Sequence, residues 1–345
     1  MTTSTKYLGS QIKRALLAAG LATAFAAPIW AQAPAAEAAV DPEAALMGQW
    51  RENMANVPTP DEGCYHASYP DLFWEQVDCL VAAPRVPPVH AQPTGDEEVV
   101  GNGHDYVAEA KGLITFAGGS FTTKGIKTEK SVGVASFGGG GILGSNEYTL
   151  QINTNASDTT SACDKHKDCT VWQQFVYATD YYSKGEAAVF IEYWLLNWGT
   201  SACPKGWSKY HEDCVINSKL TKAPNFGITD LSELSFSATA RAGENDQALL
   251  VKGKEAWSMT AKDNLLDISS VWHEAEFNVL GDAGGSRADF NNGSDINVTL
   301  VLLDGSTAAP KCVNNAGTTG ETNNLNLGTC KASGGIPNIK FGESN

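Results

Sequence analysis

The sequence predicts an all-β protein built as an antiparallel β-sandwich, and three observations support this fold class. The 345-residue chain has 34 glycines against 24 lysines and arginines, with 9 Trp, 10 Tyr and 12 Phe residues. This balance suits turns and half-buried strands. Short apolar or alternating stretches also recur from about residue 101 to residue 304, separated by Gly, Asn, Asp and Lys turns. No long helical period competes with them, and about 200 residues of short strands is a common size for one sandwich domain.

Each strand is predicted from a run of apolar or alternating residues that turn formers bound on both sides. The predicted strands are, in chain order, 113–116, 148–152, 172–177, 189–196, 234–240, 248–251, 275–280 and 296–303. A short helix is predicted ahead of them. It begins with Asp41 as N-cap and Pro42 in the first turn, and it ends before Pro58.

The first 33 residues are predicted to be a secretory signal peptide. Lys6, Lys13 and Arg14 precede the apolar run 15–27, and Ala31-Gln32-Ala33 supplies small residues for cleavage. The apolar run is too short to span a bilayer. We therefore expect a soluble protein that is secreted or periplasmic.

Composition divides the rest of the chain into three segments. Residues 34–100 form an N-terminal extension with a disulfide loop and a Pro-rich, acidic linker. We expect this extension to cover or brace the sandwich, and it is a candidate propeptide. Residues 101–304 form the sandwich domain, and residues 305–345 form a disulfide-stapled tail.

The eight cysteines fall into four local pairs. We predict the disulfides Cys64–Cys79, Cys163–Cys169, Cys203–Cys214 and Cys312–Cys330, because each pair lies within its own turn-rich segment of an exported chain. No pair has the C-x2-C spacing that a zinc site would use.

Charge and composition exclude several classes of protein. The chain is 42% hydrophobic and 18% charged, which is apolar enough for a core and rules out a disordered chain. A formal net charge of −15 argues against nucleic acid or an anionic membrane as a partner, because both need clustered Lys and Arg.

The sequence predicts neither a cofactor nor a metal site. Residues 139–144 match G-x-G-x-x-G, but strand-like residues follow where a dinucleotide site needs a helix. The His211-Glu212-Asp213 cluster is expected to be a solvated turn. Four residues could supply oxygen ligands to Ca²⁺: Asp282, Asp289, Asn292 and Asp295. Their spacing matches no known Ca²⁺-binding loop, and charged turns between strands explain these residues equally well.

The segment 271–280 is the most informative one for function. If it is a strand, alternation places Ala275, Phe277 and Val279 on one face. The opposite face then carries Trp272, Glu274, Glu276 and Asn278. Two interpretations stay open: an ordinary solvent face, or a binding groove, since an exposed Trp is costly.

Two other predicted strands carry similar residues. Gln173 and Gln174 point to opposite faces of their strand, so one of them is internal or faces a groove. Glu192, Trp194 and Trp198 share one face of the next strand. These aromatics either belong to the core between the sheets or line a substrate cleft.

At these residues the sequence resembles the fungal glutamic peptidases, the eqolisins. The resemblance covers residues 145–303 and rests on the order of five features along the chain. They are a Gln-bearing strand after Cys169, an aromatic-Glu-aromatic strand, the hairpin series 234–259, Ala275-Glu276-Phe277 and Ala288-Asp289-Phe290. The strand 189–197 followed by a Cys-bearing loop is also similar to neprosin, a plant glutamic peptidase. The resemblance implies a concanavalin-like sandwich of jelly-roll type that hydrolyses peptides with a Gln/Glu pair on its concave sheet.

Carried over by position, Glu276 matches the catalytic Glu of that family and Gln173 its catalytic Gln. Gln174 is the alternate. The chain departs from the family at this point, because it has Gln174-Phe175 where the family has small residues after its catalytic Gln. Glu192 and Glu274 are further alternates for the carboxylate. In this chemistry Glu276 would activate a water, and the Gln amide would stabilise the oxyanion. Trp194 or Trp272 would form a wall of the cleft.

Three functions follow, and the sequence does not choose among them. The first is an exported endopeptidase of the glutamic type, with a polypeptide substrate. The second is a non-catalytic carbohydrate-binding protein in which Trp194, Trp198 or Trp272 stacks on sugar rings. The third is a glycan-cleaving enzyme, which would use Glu192 and Glu276 as its two carboxylates.

Overall fold

Strands make up most of the computed structural model, which describes residues 42–81, 105–132, 143–157, 159–163, 166–181, 185–282, 286–314, 316–317 and 319–345. The predicted signal peptide, the Pro-rich linker and most of the glycine pattern at 139–144 lie outside the described residues. The helix α1 is Pro42–Met54, and short 3₁₀ helices are Ser161–Cys163, Ile228–Glu233, Asp263–Leu265 and Ile268–Ser270.

The described strands are numbered in chain order. The first eleven are β1 Gly63–Ser68, β2 Glu75–Val77, β3 Tyr106–Glu109, β4 Phe116–Lys124, β5 Glu129–Val132, β6 Tyr148–Thr154, β7 Thr170–Ala178, β8 Ala187–Leu196, β9 Ser208–Tyr210, β10 Asp213–Asn217 and β11 Thr221–Ala223. The others are β12 Leu234–Thr239, β13 Asn245–Lys252, β14 Glu255–Lys262, β15 Glu274–Gly281, β16 Arg287–Phe290, β17 Asp295–Leu303, β18 Lys311–Asn314, β19 Thr322–Asn323, β20 Asn326–Leu327, β21 Lys331–Ser333 and β22 Asn338–Ser344.

Two large sheets confirm the predicted antiparallel sandwich. Sheet I has the order β2-β1-β14-β13-β12-β4-β17-β22-β20, with β21 also paired to β22. Sheet II has the order β18-β3-β15-β6-β7-β8-β10-β9, with β11 also paired to β8. Sheet III is the small set β19-β16-β5, in which β16 and β19 run parallel.

The core between the two large sheets is built from the inward side chains of alternating strands. Phe277 of β15 packs on Phe121 of β4, with ring centroids 4.7 Å apart. Gly119 of β4 makes room for this contact, because a Cβ there would lie 2.3 Å from the Phe277 ring. In sheet I, strands such as β17 alternate between buried and at least partly exposed residues, as expected for a sheet with one solvent-exposed face.

Sheet II is different because both of its faces are covered. Every residue of β6, β7 and β8 is buried, including the polar ones that point away from sheet I. The strands β16 and β19 of sheet III pack against β15. The polar outer face of sheet II is therefore enclosed, and its polar groups must be satisfied by hydrogen bonds.

Most of the long predicted strands are confirmed, and the structure extends several of them at their ends. The prediction for residues 113–116 was wrong, because β4 begins only at Phe116. The preceding residues form a turn in which the backbone N–H groups of Lys111 and Gly112 donate to the Asp304 carboxylate at 3.0 and 3.2 Å. The shorter polar strands were not predicted.

The N-terminal extension braces sheet I. The predicted helix is confirmed as α1, which buries Trp50 and Met54 against Tyr65 of β1 and Leu249 of β13. Strand β1 pairs with β14 along its whole length. The described part of the extension thus adds strands to the edge of sheet I and packs α1 on the face of this sheet that points away from the core.

The predicted division at residue 305 also differs from the structure, in which residues 42–345 form one compact unit. The tail supplies β22, which pairs with β17 over Asp295–Val301, and β18, which pairs with β3. The Cys312–Cys330 disulfide staples the tail as predicted, but the tail is part of the sandwich, and Ile339, Phe341 and Glu343 of β22 are buried.

All four predicted disulfides are confirmed: Cys64–Cys79, Cys163–Cys169, Cys203–Cys214 and Cys312–Cys330. Four disulfides are typical of an oxidising compartment. In the part of the chain that the structure describes, no helix is long and apolar enough to cross a membrane.

Cutting the chain within residues 82–104 should leave both fragments associated. We expect this because release of residues 42–81 would uncover the edge of β14 and the apolar cluster around Trp50. The experiment inserts a site for a specific protease in this linker and follows the cut protein by gel filtration. Separate elution of the fragments under native conditions would contradict the bracing role.

Candidate functional site

Four polar side chains lie in register across four neighbouring strands of sheet II. Glu276 of β15 pairs with Asn153 of β6, Asn153 pairs with Gln174 of β7, and Gln174 pairs with Glu192 of β8. Paired residues of neighbouring strands point to the same face. We call these four residues the polar row. It lies on the face of sheet II that points away from sheet I, and all four side chains are at most 6% exposed.

Hydrogen bonds connect the polar row from end to end. The Asn153 amide donates to Glu276 Oε2 at 3.0 Å, and the Gln174 amide donates to Asn153 Oδ1 at 3.2 Å. The indole N–H of Trp194 donates to Glu192 Oε1 at 2.9 Å and lies 3.2 Å from Gln174 Oε1. The row therefore has a carboxylate at each end and two amides between them.

Alternation along β6 explains how the sequence builds the middle of the row. Tyr148, Leu150 and Ile152 point into the core, so the residues between them point outward. The Gln151 amide oxygen accepts hydrogen bonds from Asn153 and Gln174 at 3.2 and 3.0 Å. Gln151 thereby fixes the orientation of both amides of the row.

A second group of carboxyls lies beside the Glu276 end. The Asn278 amide donates to Asp105 Oδ2 at 2.8 Å and to Glu343 Oε1 at 2.6 Å. Burial, followed by the negative charges of Glu276 and Glu343, raises the pKa of Asp105 well above its usual range. Asp105, Glu276 and Glu343 are each at most 3% exposed.

The backbone at Gly317 covers Glu276. A Cβ at this position would lie 2.9 Å from Glu276 Oε1 and 3.3 Å from Asp105 Cβ. A side chain at this position would therefore require the Glu276 carboxylate to shift. Residues 316–317 thus form a roof over this end of the row.

Glu276 lies on the face opposite Phe277, as alternation predicts, but the amide that donates to it belongs to Asn153 and not to a glutamine. The position predicted for Gln173 was wrong. Gln173 points into the space between the sheets, where its amide donates to Asp246 Oδ2 at 2.8 Å. Burial, followed by the negative charge of Asp263, raises the pKa of Asp246. Gln174, the alternate, is the glutamine that shares a face with Glu276, but Asn153 lies between them.

The predicted tryptophans have three different positions. Trp194 lies on the outer face as expected, but it is fully buried with Trp172 and Tyr210. Trp272 precedes β15 and packs in the core against Phe175, with centroids 5.8 Å apart, so the prediction that it shares the face of Glu276 was wrong. Trp198 lies beyond the end of β8 and stacks on His166.

Strand alternation does not extend to Trp198 because Asn197 has a φ of 52° and ends the strand. The prediction that Trp198 shares a face with Glu192 and Trp194 was therefore wrong. Of the remaining candidates, Glu274 is half-buried at the start of β15, and burial raises its pKa. Asn278 is buried on the outer face, as predicted.

Within the described residues, no three His, Cys, Asp or Glu side chains are arranged to hold a metal ion. His211 lies in the turn between β9 and β10 with a φ of 46°, as expected for a polar turn. Asp213 of the same cluster is not solvated, because it is buried at the start of β10 and accepts a hydrogen bond from the Asn197 N–H at 2.8 Å. Asp289, one of the oxygen ligands considered for Ca²⁺, forms an ion pair with Arg287 at 2.5 Å.

Sequence reasoning missed Asn153, Asp105 and Glu343. The alternation of β6 would have found Asn153, because polar residues occupy every second position from Thr149. Asp105 and Glu343 join the site only through the pairing of distant strands, which no local pattern signals. No protein-family model matches the chain, and no curated protein matches it.

Proposed function

We propose that this protein is a secreted or periplasmic endopeptidase of the glutamic type, with the polar row as its reaction centre. The observation that supports this best is a chain of hydrogen bonds on one face of sheet II, in which the Asn153 amide donates to the Glu276 carboxylate and the Gln174 amide donates to Asn153. The resemblance to glutamic peptidases points to the same carboxylate. Four disulfides and the predicted signal peptide support an exported protein.

The reaction needs one group that moves protons and one that binds an oxyanion. Glu276 removes a proton from a water molecule as the water attacks the carbonyl carbon of the scissile peptide bond. Both amides already donate within the row and to Gln151. An N–H group of Asn153 or Gln174 must therefore turn from these acceptors to the oxygen that becomes negative. Glu276 then gives its proton to the leaving amine, so the carboxylate is restored when the C–N bond breaks.

The amide assignment departs from the one that the resemblance implies. Gln173 cannot serve, because it faces the core and binds Asp246. Asn153 is the amide next to Glu276, and Gln174 is the next one along the row. Peptide binding also requires the segment at Gly317 to move off the Glu276 carboxylate.

The positions of the tryptophans and carboxylates argue against the two carbohydrate functions. Trp194 and Trp272 have no exposed surface on which a sugar ring could stack. Glu192 and Glu276 are three strand spacings apart, which is about 14 Å between Cα atoms. Glycosidases hold their two carboxyls about 5–9.5 Å apart.

The test of this proposal is incubation of the purified protein with a denatured protein mixture between pH 3 and pH 8. New peptide termini are sought by mass spectrometry, and a parallel panel of polysaccharides is assayed for new reducing ends. We expect new peptide termini and no new reducing ends. New reducing ends without new termini would overturn the proposal.

The two neighbouring glutamines provide a matched pair of variants. We expect Gln173→Met to lower the free energy of unfolding by about 1–3 kcal/mol, because Asp246 loses a buried hydrogen-bond donor. Its cleavage rate per folded molecule should stay unchanged. Gln174→Met should lower that rate at least ~10-fold, since it removes an oxyanion donor. Urea unfolding and initial rates measure the two effects, and the reverse pattern would contradict the assignment.

A further inference from the structure

Asp105 lies immediately before β3, where it faces the open edge of β15. Strand β3 pairs with β15 only from Glu274 to Glu276, so Asp105 comes opposite Asn278. The Asp105 side chain accepts hydrogen bonds from the backbone N–H of Tyr106 at 2.7 Å and from the Asn278 amide at 2.8 Å. Both donors are neutral groups.

The surroundings of Asp105 are unfavourable for a second negative charge. Its titratable neighbours are Glu276 on β15 and Glu343 on β22. The roofing segment presents Ala316 and Gly317, neither of which carries a charge. The ion pairs among the described residues do not include Asp105. Two buried carboxyls that close together cannot both ionise without a large cost.

The roof at Gly317 shows that Asp105 and Glu276 face the same enclosed space. A single added carbon at Gly317 would contact Glu276 Oε1 and Asp105 Cβ. Asp105 Oδ1 and Oδ2 are held by their two donors, and Glu276 Oε2 is held by Asn153. Both carboxyl groups are therefore fixed in position beside each other.

We propose that Asp105 is a positioning residue for Glu276, and that the two carboxyl groups share one proton, which Asp105 holds while Glu276 acts as the base. This inference rests on the proposed function for its catalytic meaning, although the proton sharing itself does not. A neutral Asp105 leaves Glu276 as the ionised member of the pair. Loss of the shared proton puts two negative charges beside the developing oxyanion, which opposes its formation.

The pair accounts for both limits of the pH range in which the site would work. Below the first ionisation of the pair, Glu276 is protonated and cannot accept a proton from water. Above the second ionisation, Asp105 is charged as well. The pH dependence of kcat/KM should therefore have the shape of a bell whose two midpoints belong to the pair.

The first measurement needs no substrate. Carbon-13 NMR of the side-chain carboxyls follows the titration of Asp105 in the intact protein, in Glu276→Gln and in the control Glu274→Gln. We expect Glu276→Gln to lower the Asp105 midpoint by about one pH unit or more, because a neighbouring negative charge is removed. Glu274→Gln should leave it unchanged. An Asp105 midpoint that is the same in all three proteins would overturn the inference.

The reciprocal variant keeps the inference testable by activity. Asp105→Asn mimics the protonated carboxyl and cannot ionise, so we expect the acidic limb of kcat/KM to stay and the alkaline limb of the pair to be lost. If Asp105 had only a structural role, the Asp105→Asn substitution would change the rate by the same factor at all pH values. That result would overturn the positioning role. Coupled titration in a protein without peptidase activity would refute the proposed function and leave the proton sharing intact.

Discussion

Glu276→Gln should lower the rate of peptide cleavage at least ~100-fold, the lower end of what a positioned general acid or base contributes. The substitution removes the group that accepts the proton of water in the proposed reaction. It should not unfold the protein, because the new amide oxygen can still accept the hydrogen bond that the Asn153 amide gives to Glu276 Oε2 at 3.0 Å. Initial rates and thermal melting of the purified variant measure both effects.

Glu274→Gln is the matched control for this experiment. Glu274 is two residues away on the same strand, but it is half-buried at the start of β15 and lies outside the polar row. We expect its cleavage rate to stay within a few-fold of the original rate. Equal losses in the two variants, or a fully active Glu276→Gln, would remove Glu276 from the role of general base.

Thermal stability should be highest in acid and should fall as the pH rises from about 5 to about 9. Burial, followed by the negative charge of Glu147, raises the pKa of Glu129 from 4.5 to about 9. Asp105 and Asp246 also have pKa values raised by burial. A carboxyl group whose pKa is raised in the folded state stabilises the fold fully when the pH is below its pKa in the unfolded state. This contribution is lost as the pH rises towards the folded pKa, by up to ~1.4 kcal/mol per pH unit for each group.

Two variants test this dependence at groups whose pKa values are shifted in opposite directions. Glu129→Gln should flatten the fall in melting temperature between about pH 5 and pH 9, since this group no longer titrates. For Asp304, burial alone would raise the pKa, but the N–H and O–H donors of Ser306, Lys111 and Gly112 lower it. Asp304→Asn should therefore destabilise at neutral pH and lose this effect as the pH falls through the folded pKa. A melting temperature that rises steadily with pH in the unmodified protein would contradict the account.

The sandwich could be predicted because its long strands carry their own pattern. Residues 170–178 and 187–196 are apolar enough to be recognised as strands without any knowledge of their partners. The four disulfides could be predicted for a similar reason, because both cysteines of each pair lie within one short segment of the chain. The last strand was missed because Ile339 and Phe341 stand among Gly, Asn and Lys residues, and only pairing with β17 makes them core residues.

The site could be predicted only in part. Alternation placed Glu276 opposite Phe277, and the structure confirms this. Alternation could not decide between Gln173 and Gln174, since a strand buried on both faces gives no inward or outward signal. The network of Asp105, Asn278 and Glu343 joins strands from both ends of the chain, so sequence separation hides it.

The central claim is that a peptide is bound and cleaved on the outer face of sheet II. The most direct test is a crystal structure of Glu276→Gln with a peptide that spans a cleavage site found for the unmodified protein. We expect the scissile carbonyl oxygen within hydrogen-bonding distance of the Asn153 or Gln174 amide, with residue 276 beside the carbonyl carbon and Gly317 displaced. A peptide bound elsewhere, with Gly317 still covering residue 276, would contradict the claim.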